Sequence, residues 1–211
     1  MITPYDCVVV ANGSFPQTDR PLELLKNAPV IIACDGAVQN IHERGLTPTA
    51  IVGDLDSIPQ EMLKQYADRI HVVEDQEIND LAKAVRFAQA SGYQKILILG
   101  ATGLREDHTL GNISLLADFV TRFEHVEILS DYGSFIALAE SKTLKSFPGQ
   151  QVSIFSIYPE GTITTYGLKW PIDNRRLTAW WQGTLNEALG EEFTIRLSTG
   201  SKAIIYRENS I

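Results

Sequence analysis

Through the first two-thirds of the chain, short runs rich in Val and Ile alternate with longer amphipathic runs, and this alternation constrains the fold more than any other feature. The apolar runs fall at residues 7–11, 30–34, 50–52, 70–73, 95–99 and 126–129. Several are almost continuous in Val and Ile, as expected of strands buried on both faces. Helices are expected between them, near residues 36–44, 59–66, 79–91 and 106–122. In the third of these, Leu81, Ala84, Val85 and Ala88 recur at helical spacing and form an apolar stripe. The alternation predicts an α/β fold, a mostly parallel sheet with flanking helices.

From about Ser134 the pattern changes. No long amphipathic helix follows, only short strand-like runs at residues 135–139, 152–157, 162–166, 193–197 and 203–206. Turn signals separate them, among them Pro148-Gly149, Asp173-Asn174 and Thr199-Gly200. This predicts a C-terminal all-β sandwich. The expected domains are residues 1–133 and 134–211, a division that 211 residues accommodate.

Hydrophobic residues make up 44% of the chain, enough to fill a core. No apolar run approaches the roughly 20 residues needed to span a bilayer. No basic segment precedes the run at 7–11, so no secretory signal is expected, and the cytoplasm is the expected location. Cys7 and Cys34 sit inside strand-like runs and are expected as buried, reduced core residues. The formal net charge of −8 argues against a nucleic-acid partner. It does not exclude ATP, because a divalent cation bridges carboxylates and phosphates.

In open α/β sheets, ligands bind beyond the carboxyl ends of the strands. Here those ends carry acids. Asp35-Gly36 follows the second run, and Gly53-Asp54-Leu55-Asp56-Ser57 follows the third. Asp75-Gln76, with Asp80 close behind, follows the fourth; Arg105-Glu106-Asp107-His108 follows the fifth. A lone Asp in such a place is usually a turn or cap residue. Four acid-bearing strand ends on one rim repel each other unless a cation is present. On an extended segment Asp54 and Asp56 would lie about 7 Å apart on one side, which suits Mg²⁺.

Two Gly-containing segments, Ala11-Asn12-Gly13-Ser14 and Gly100-Ala101-Thr102-Gly103, also follow strands and allow close backbone approach to a ligand. A helix starting near Glu106 would aim its N-terminal N–H groups at the same rim. Neither a Walker A pattern nor a G-x-G-x-x-G fingerprint is present. Arg105 offers a planar fork for phosphate and Lys83 a point charge, unless Lys83 is a solvated residue paired with Asp80. His108 fits a general base, a phosphate contact or a core histidine.

The ordered set Asp35-Gly36, Gly53-Asp54-x-Asp56-Ser57, Asp75-Gln76, Asp80-Leu81-x-Lys83-Ala84 and Gly100-x-x-Gly103-x-Arg105-x-Asp107-His108-x-x-x-Asn112 resembles the catalytic domain of thiamine pyrophosphokinases. Gly167-Leu168-Lys169-Trp170-Pro171 and Asn186-Glu187 resemble the thiamine-binding β domain of that family. Three positions depart from the pattern. Asn79 stands where the family usually has Thr, and Leu104 where it usually has a second Gly; a Ser-Asn-Glu-like segment reads Thr184-Leu185-Asn186-Glu187. A positive φ at Leu104 would strain the backbone.

The resemblance implies transfer of a pyrophosphoryl group from ATP to the thiamine hydroxyl. It also implies a homodimer with thiamine between the α/β domain of one subunit and the β domain of the other. Asp54, Asp56, Asp75 and Asp80 are then expected around Mg²⁺. Arg105 would neutralise the transferred group, and Asp107 would orient Arg105 or the acceptor. Asn12, Gly13, Asp35, Gly36, Ser57, Gln76, Lys83, Gly103, His108 and Asn112 would line the nucleotide site. Trp170 would face the thiazolium unless it is sandwich core, with Thr184, Asn186 and Glu187 reading polar edges. A pyrophosphokinase for another hydroxymethyl heterocycle, of the pterin type, shares the acidic rim but not the C-terminal motif. A non-catalytic sensor of nucleotide or thiamine has no need of so many repelling acids.

Overall fold

The computed structural model describes residues 4–209, which divide into two compact units. The first comprises residues up to Leu115 together with Phe123–Asp131. Its strands are β1 (Cys7–Val10), β2 (Ile31–Cys34), β3 (Ala50–Gly53), β4 (Ile70–Val72), β5 (Lys95–Leu99) and β6 (His125–Leu129). All pair in parallel, in the order β4-β3-β2-β1-β5-β6. β1, β2 and β3 are buried at every position, as continuous Val/Ile runs require when helices cover both faces. β4 departs from that expectation: it is an edge strand, and His71 and Val72 are exposed.

The helices of this unit are α1 (Asp19–Lys26), α2 (Ala37–Glu43), α3 (Gln60–Gln65), α4 (Asp80–Ala90) and α5 (Glu106–Ser114). Asn79 caps α4, its Oδ1 accepting from Ala82 N at 2.9 Å. The stripe Leu81, Ala84, Val85 and Ala88 is buried. The chain order runs outward from β1 to β4 and then returns to β5 on the other side of β1. The topological switch point therefore lies between β1 and β5, the place where open α/β sheets bind ligands at the strands' carboxyl ends.

The helix expected over residues 106–122 is broken. α5 ends at Ser114, and α6 (Leu116–Phe119) resumes as part of the second unit, packed on β7 (Gly133–Leu138) and β13 (Ala203–Glu208). Ser114 Oγ bonds back to Gly111 O at 2.7 Å, and neither Gly nor Ser favours a helix interior.

The second unit adds β8 (Lys142–Lys145), β9 (Gln151–Ser156), β10 (Ile163–Tyr166), β11 (Asn186–Glu187) and β12 (Glu192–Leu197). One antiparallel sheet runs β11-β9-β13-β7 and the other β10-β12-β8. Ile136, Val152, Ile154 and Ile205 from the first meet Leu144, Ile163, Phe193 and Ile195 from the second in one core, which makes the unit a sandwich. Both cysteines are free and buried; burial pushes the Cys7 thiol up to about 12 and raises Cys34 as well. Among the described residues, no helix is long and apolar enough to cross a membrane.

Candidate functional site

β2 and β3 lie side by side in parallel, so their carboxyl ends deliver Asp35 and Asp54 to neighbouring places on the rim. Asp35 takes a left-handed backbone, φ 41°, which a short polar side chain tolerates. A Cβ on Gly53 would sit 2.9 Å from Asp35 Cβ, so a glycine at the end of β3 makes room for it. The segment carrying Asp54 and Asp56 is not extended, contrary to expectation. Leu55 between them has φ 71° and is partly buried against the unit's core. This bend brings Asp35, Asp54 and Asp56 together, with one ligand oxygen from each within 4.8 Å of the others.

Asp35 is buried, 4% exposed, and only one of its oxygens is engaged. Ser57 Oγ donates to Oδ2, while Gly36 N donates to the Ser57 hydroxyl at 3.1 Å. Oδ1 is buried without a hydrogen-bond partner. Burial raises the Asp35 pKa; the Ser57 bond works against this, and the charges of Asp80, Asp54 and Asp56 add to it. A buried, orphaned carboxylate oxygen beside two further carboxylates is an all-oxygen donor set, which fits a hard cation such as Mg²⁺.

The other rim residues support this cluster. Gln76 Nε2 donates to Asp54 Oδ2 at 3.1 Å and is the main cause of a lowered Asp54 pKa. Lys83 is buried, not solvated: its Nζ lies 2.9 Å from Asp80 Oδ1 and 3.6 Å from Asp54 Oδ2. Burial pulls the ammonium pKa down, but Asp80 and Asp54 outweigh it and raise it overall. Asp80 therefore joins the cluster through Lys83. Asp75 accepts from Glu77 N at 2.9 Å and is not one of the three gathered acids.

The loop after β5 forms the second half of the site. The carbonyl oxygens of Gly100, Ala101 and Thr102 accept from Gly13 N (2.7 Å), Asn112 Nδ2 (2.9 Å) and Ser14 N (2.8 Å), and the Thr109 hydroxyl lies 3.1 Å from Arg105 O and 3.4 Å from Gly103 O. With three consecutive carbonyls turned to these donors, the N–H groups of residues 102–105 find no acceptor among the described residues. Gly103 and Leu104 both take left-handed angles, φ 78° and 61°. Successive backbone N–H groups left unpaired in such a turn are available to an anion. Gly13 cannot be larger, since a Cβ there would meet Gly100 O at 2.4 Å. Asn12 lies beside Gly36, where an added Cβ would come within 2.9 Å of Asn12 Nδ2.

At the start of α5, Arg105 forks onto Asp107, Nε to Oδ1 at 3.1 Å and Nη2 to Oδ2 at 2.6 Å. Arg105 and the His108 N–H together hold the Asp107 carboxyl down at about 2. The His108 ring is exposed, so it is not a core histidine.

In the second unit Trp170 is 54% exposed, which rules out the core reading. Asn186 is buried and clamps the Trp170 backbone: Oδ1 accepts from Trp170 N at 3.1 Å, and Nδ2 donates to Trp170 O at 2.7 Å. Asn186 Oδ1 also accepts from Glu187 N at 2.9 Å. Glu187 pairs with Lys169 at 3.0 Å, and the Lys169 ammonium sits 5.0 Å from the Trp170 ring centroid. The Thr184 hydroxyl donates to Trp181 O at 2.9 Å. Trp180 packs edge-on against Phe155, while Trp181 is 74% exposed. The sequence placed Asp35 in the lining of the nucleotide site and not among the acids around Mg²⁺, and gave Thr109 no role; the adjacency of β2 and β3 is the signal for the first.

Residues 22–129 match the family model described as "Thiamin pyrophosphokinase, catalytic domain", and residues 133–206 match "Thiamin pyrophosphokinase, substrate-binding domain". The chain belongs to the thiamin pyrophosphokinase family. Among its relatives, Thiamine pyrophosphokinase 1 of Oryza sativa subsp. japonica is 32% identical over 176 residues, covering 74% of this chain. This chain spans just under two-thirds of that relative's length, 64%. Thiamin pyrophosphokinase 1 of Caenorhabditis elegans is 28% identical over 174 residues, 76% of this chain and 71% of that protein. The solved thiamin pyrophosphokinase from Candida albicans superposes with a TM-score of 0.81 at 18% identity, covering 99% of this chain and 92% of that one, a likeness of fold. The family's catalytic match holds the acid cluster and the loop after β5, while Asn12 and Gly13 precede it. The substrate-binding match holds Trp170, Thr184, Asn186 and Glu187.

Proposed function

We propose that this chain is a thiamine pyrophosphokinase, which transfers the pyrophosphoryl group of ATP to the hydroxyl of thiamine and releases AMP. The observation that carries the reading is the buried, unpartnered Asp35 Oδ1 beside Asp54 and Asp56. It lies in a unit whose switch point also presents unpaired backbone N–H groups. Family membership supplies the substrates. The hydroxyl oxygen bonds to the β-phosphorus, the bond from that phosphorus to the α–β bridging oxygen breaks, and AMP departs with that oxygen while the hydroxyl proton is released. Mg²⁺, when bound, supplies charge neutralisation on the phosphate oxygens.

Asp35, Asp54 and Asp56 would hold it; Asp75 and Asp80 would act through water, and Asp80 also through Lys83. The unpaired N–H groups of residues 102–105 and Gly13 cradle the phosphates, and Arg105 stabilises the transferred group once it leaves Asp107. Asn12, Gly36, Ser57, Gln76, His108 and Asn112 complete the nucleotide site. Catalysis here is positioning and charge neutralisation. Trp170 offers its exposed face to the thiazolium cation. Residues 1–133 are assigned the nucleotide chemistry and 134–211 the thiamine site, in a cytoplasmic homodimer that places thiamine between subunits.

The test is AMP formation from ATP and Mg²⁺, with and without thiamine. AMP that depends on thiamine, with matching thiamine pyrophosphate, is expected; ADP in its place would overturn the mechanism. Asp54→Asn is expected to lower turnover at least a hundredfold, on the order of the loss of a transition-state electrostatic group, with an unchanged melting curve.

A further inference from the structure

We propose that Asn79 is a positioning residue for the phosphate loop, acting through Asn112; the inference rests on the reading that this loop holds ATP. The side-chain amide of Asn79 has two arms. Its Oδ1 caps α4 through Ala82 N, and its Nδ2 donates to Asn112 Oδ1 at 3.0 Å. Asn112, on α5, passes the constraint on, its Nδ2 donating to Ala101 O at 2.9 Å. One continuous amide relay therefore joins the N-terminus of α4, which carries Asp80 and Lys83, to the loop that carries the unpaired N–H groups.

The relay matters because that loop has little else to fix it. Leu104 is 74% exposed and held at φ 61°, so its side chain gains no packing to offset an unfavourable backbone. The loop's shape depends instead on its three carbonyl bonds, one of them from Asn112. Asn112 is free to turn about its own terminal torsion unless its oxygen is held, and Asn79 holds it. The relay thus sets which way the Asn112 amide faces, and with it the direction of the Ala101 carbonyl and of the N–H groups that follow. A hydroxyl at position 79 also caps the helix, but it is one bond shorter than the amide and must serve both partners from a single oxygen, so its one O–H falls short of Asn112 Oδ1 while the oxygen stays on Ala82 N.

The experiment is Asn79→Thr, with Asn79→Ser as a second cap-preserving variant, each made alone and with Asn112→Ala. Equilibrium binding of MgATP and the KM values for ATP and thiamine are measured. Asn79→Thr is expected to weaken ATP about fivefold, the order of one net hydrogen bond, with KM for thiamine unchanged and the melting temperature lowered by no more than about 2–4 °C, the cost of that one bond. In the Asn112→Ala background the same substitution is expected to have almost no further effect. An equal loss in both backgrounds, or no loss in either, overturns the relay and leaves the reaction untouched. If wild-type protein binds ATP with this coupling but makes no thiamine-dependent AMP, the activity reading falls and the relay stands. A wild-type chain that binds no ATP overturns both.

Discussion

Three leucines, Leu55, Leu104 and Leu185, adopt left-handed backbone angles, and each sits in a candidate binding segment. Leu55 offsets its strain with core contact, whereas Leu104 is exposed. A non-glycine residue in this region costs on the order of 1–3 kcal/mol. Glycine removes that cost but loses about 0.5–1 kcal/mol of chain entropy. Leu104→Gly is therefore expected to stabilise the protein by roughly 1 kcal/mol, and Leu104→Ile, β-branched, to destabilise it. Urea unfolding of the pair distinguishes these signs.

Asp35 carries the opposite kind of tension. Its folded pKa is raised, by burial first and by Asp80, Asp54 and Asp56 after. A raised folded value means its contribution to stability is fully present below the unfolded value of about 3.9. It is lost as pH rises through the folded value. In chelator, Asp35→Asn should therefore melt above wild type at pH 7 to 8, with the gap closing toward pH 4. Mg²⁺ should reverse the order by stabilising wild type, by about 2.7 kcal/mol at a hundredfold excess over Kd. A gap that stays constant with pH would sink this account of Asp35.

At the scale of the element, what the sequence showed depended on how much side-chain pattern each segment carries. β5 was legible over its full length because Lys95-Ile96-Leu97-Ile98-Leu99 is continuous and central. α4 was legible from its stripe and its Asn79 cap. α1 was missed because its apolar stripe, Pro21, Leu22 and Leu25, spans only eight residues and follows a Pro-Gln-Thr stretch. β8 has one buried side chain, Leu144, and β11 only two residues, so register with a partner defines them more than their own pattern. The acids of the site were legible because strand ends collect ligands. Their geometry was not, since it depends on φ at Asp35 and Leu55 and on which strands are neighbours. The Asp107 carboxyl, held at about 2 by Arg105, makes a further expectation at this scale. Its folded value is depressed, so the Arg105 fork is present above the ordinary value and lost only as pH falls through about 2. The Asp107 carboxyl carbon shift, followed by NMR, should stay flat from pH 8 to 4; titration near 4 would mean the fork does not form.

For the whole molecule, the division into two units is not a single cut in the chain. The piece Leu116–Arg122 leaves the first unit's sequence and packs with the second, where Leu116 and Phe119 are buried and Lys202 Nζ donates to Ala117 O at 2.7 Å. Because α6 packs on β7 and β13, its apolar side chains are expected to stabilise that sheet. Phe119→Ala removes a buried aromatic and should cost about 3–5 kcal/mol, a large share of the roughly 5–15 kcal/mol that holds a domain folded. Stability need not be uniform across such a chain, since cooperative units open separately. Native-state hydrogen exchange on the Phe119→Ala protein should show faster exchange of amides in β7, β9 and β13, with those of β1, β2 and β3 unchanged. Equal acceleration in both sets would mean that the chain opens as one unit, and that Leu116–Arg122 helps to hold the first sheet as much as the sandwich. Acceleration confined to β1, β2 and β3 would place the segment with the first unit instead.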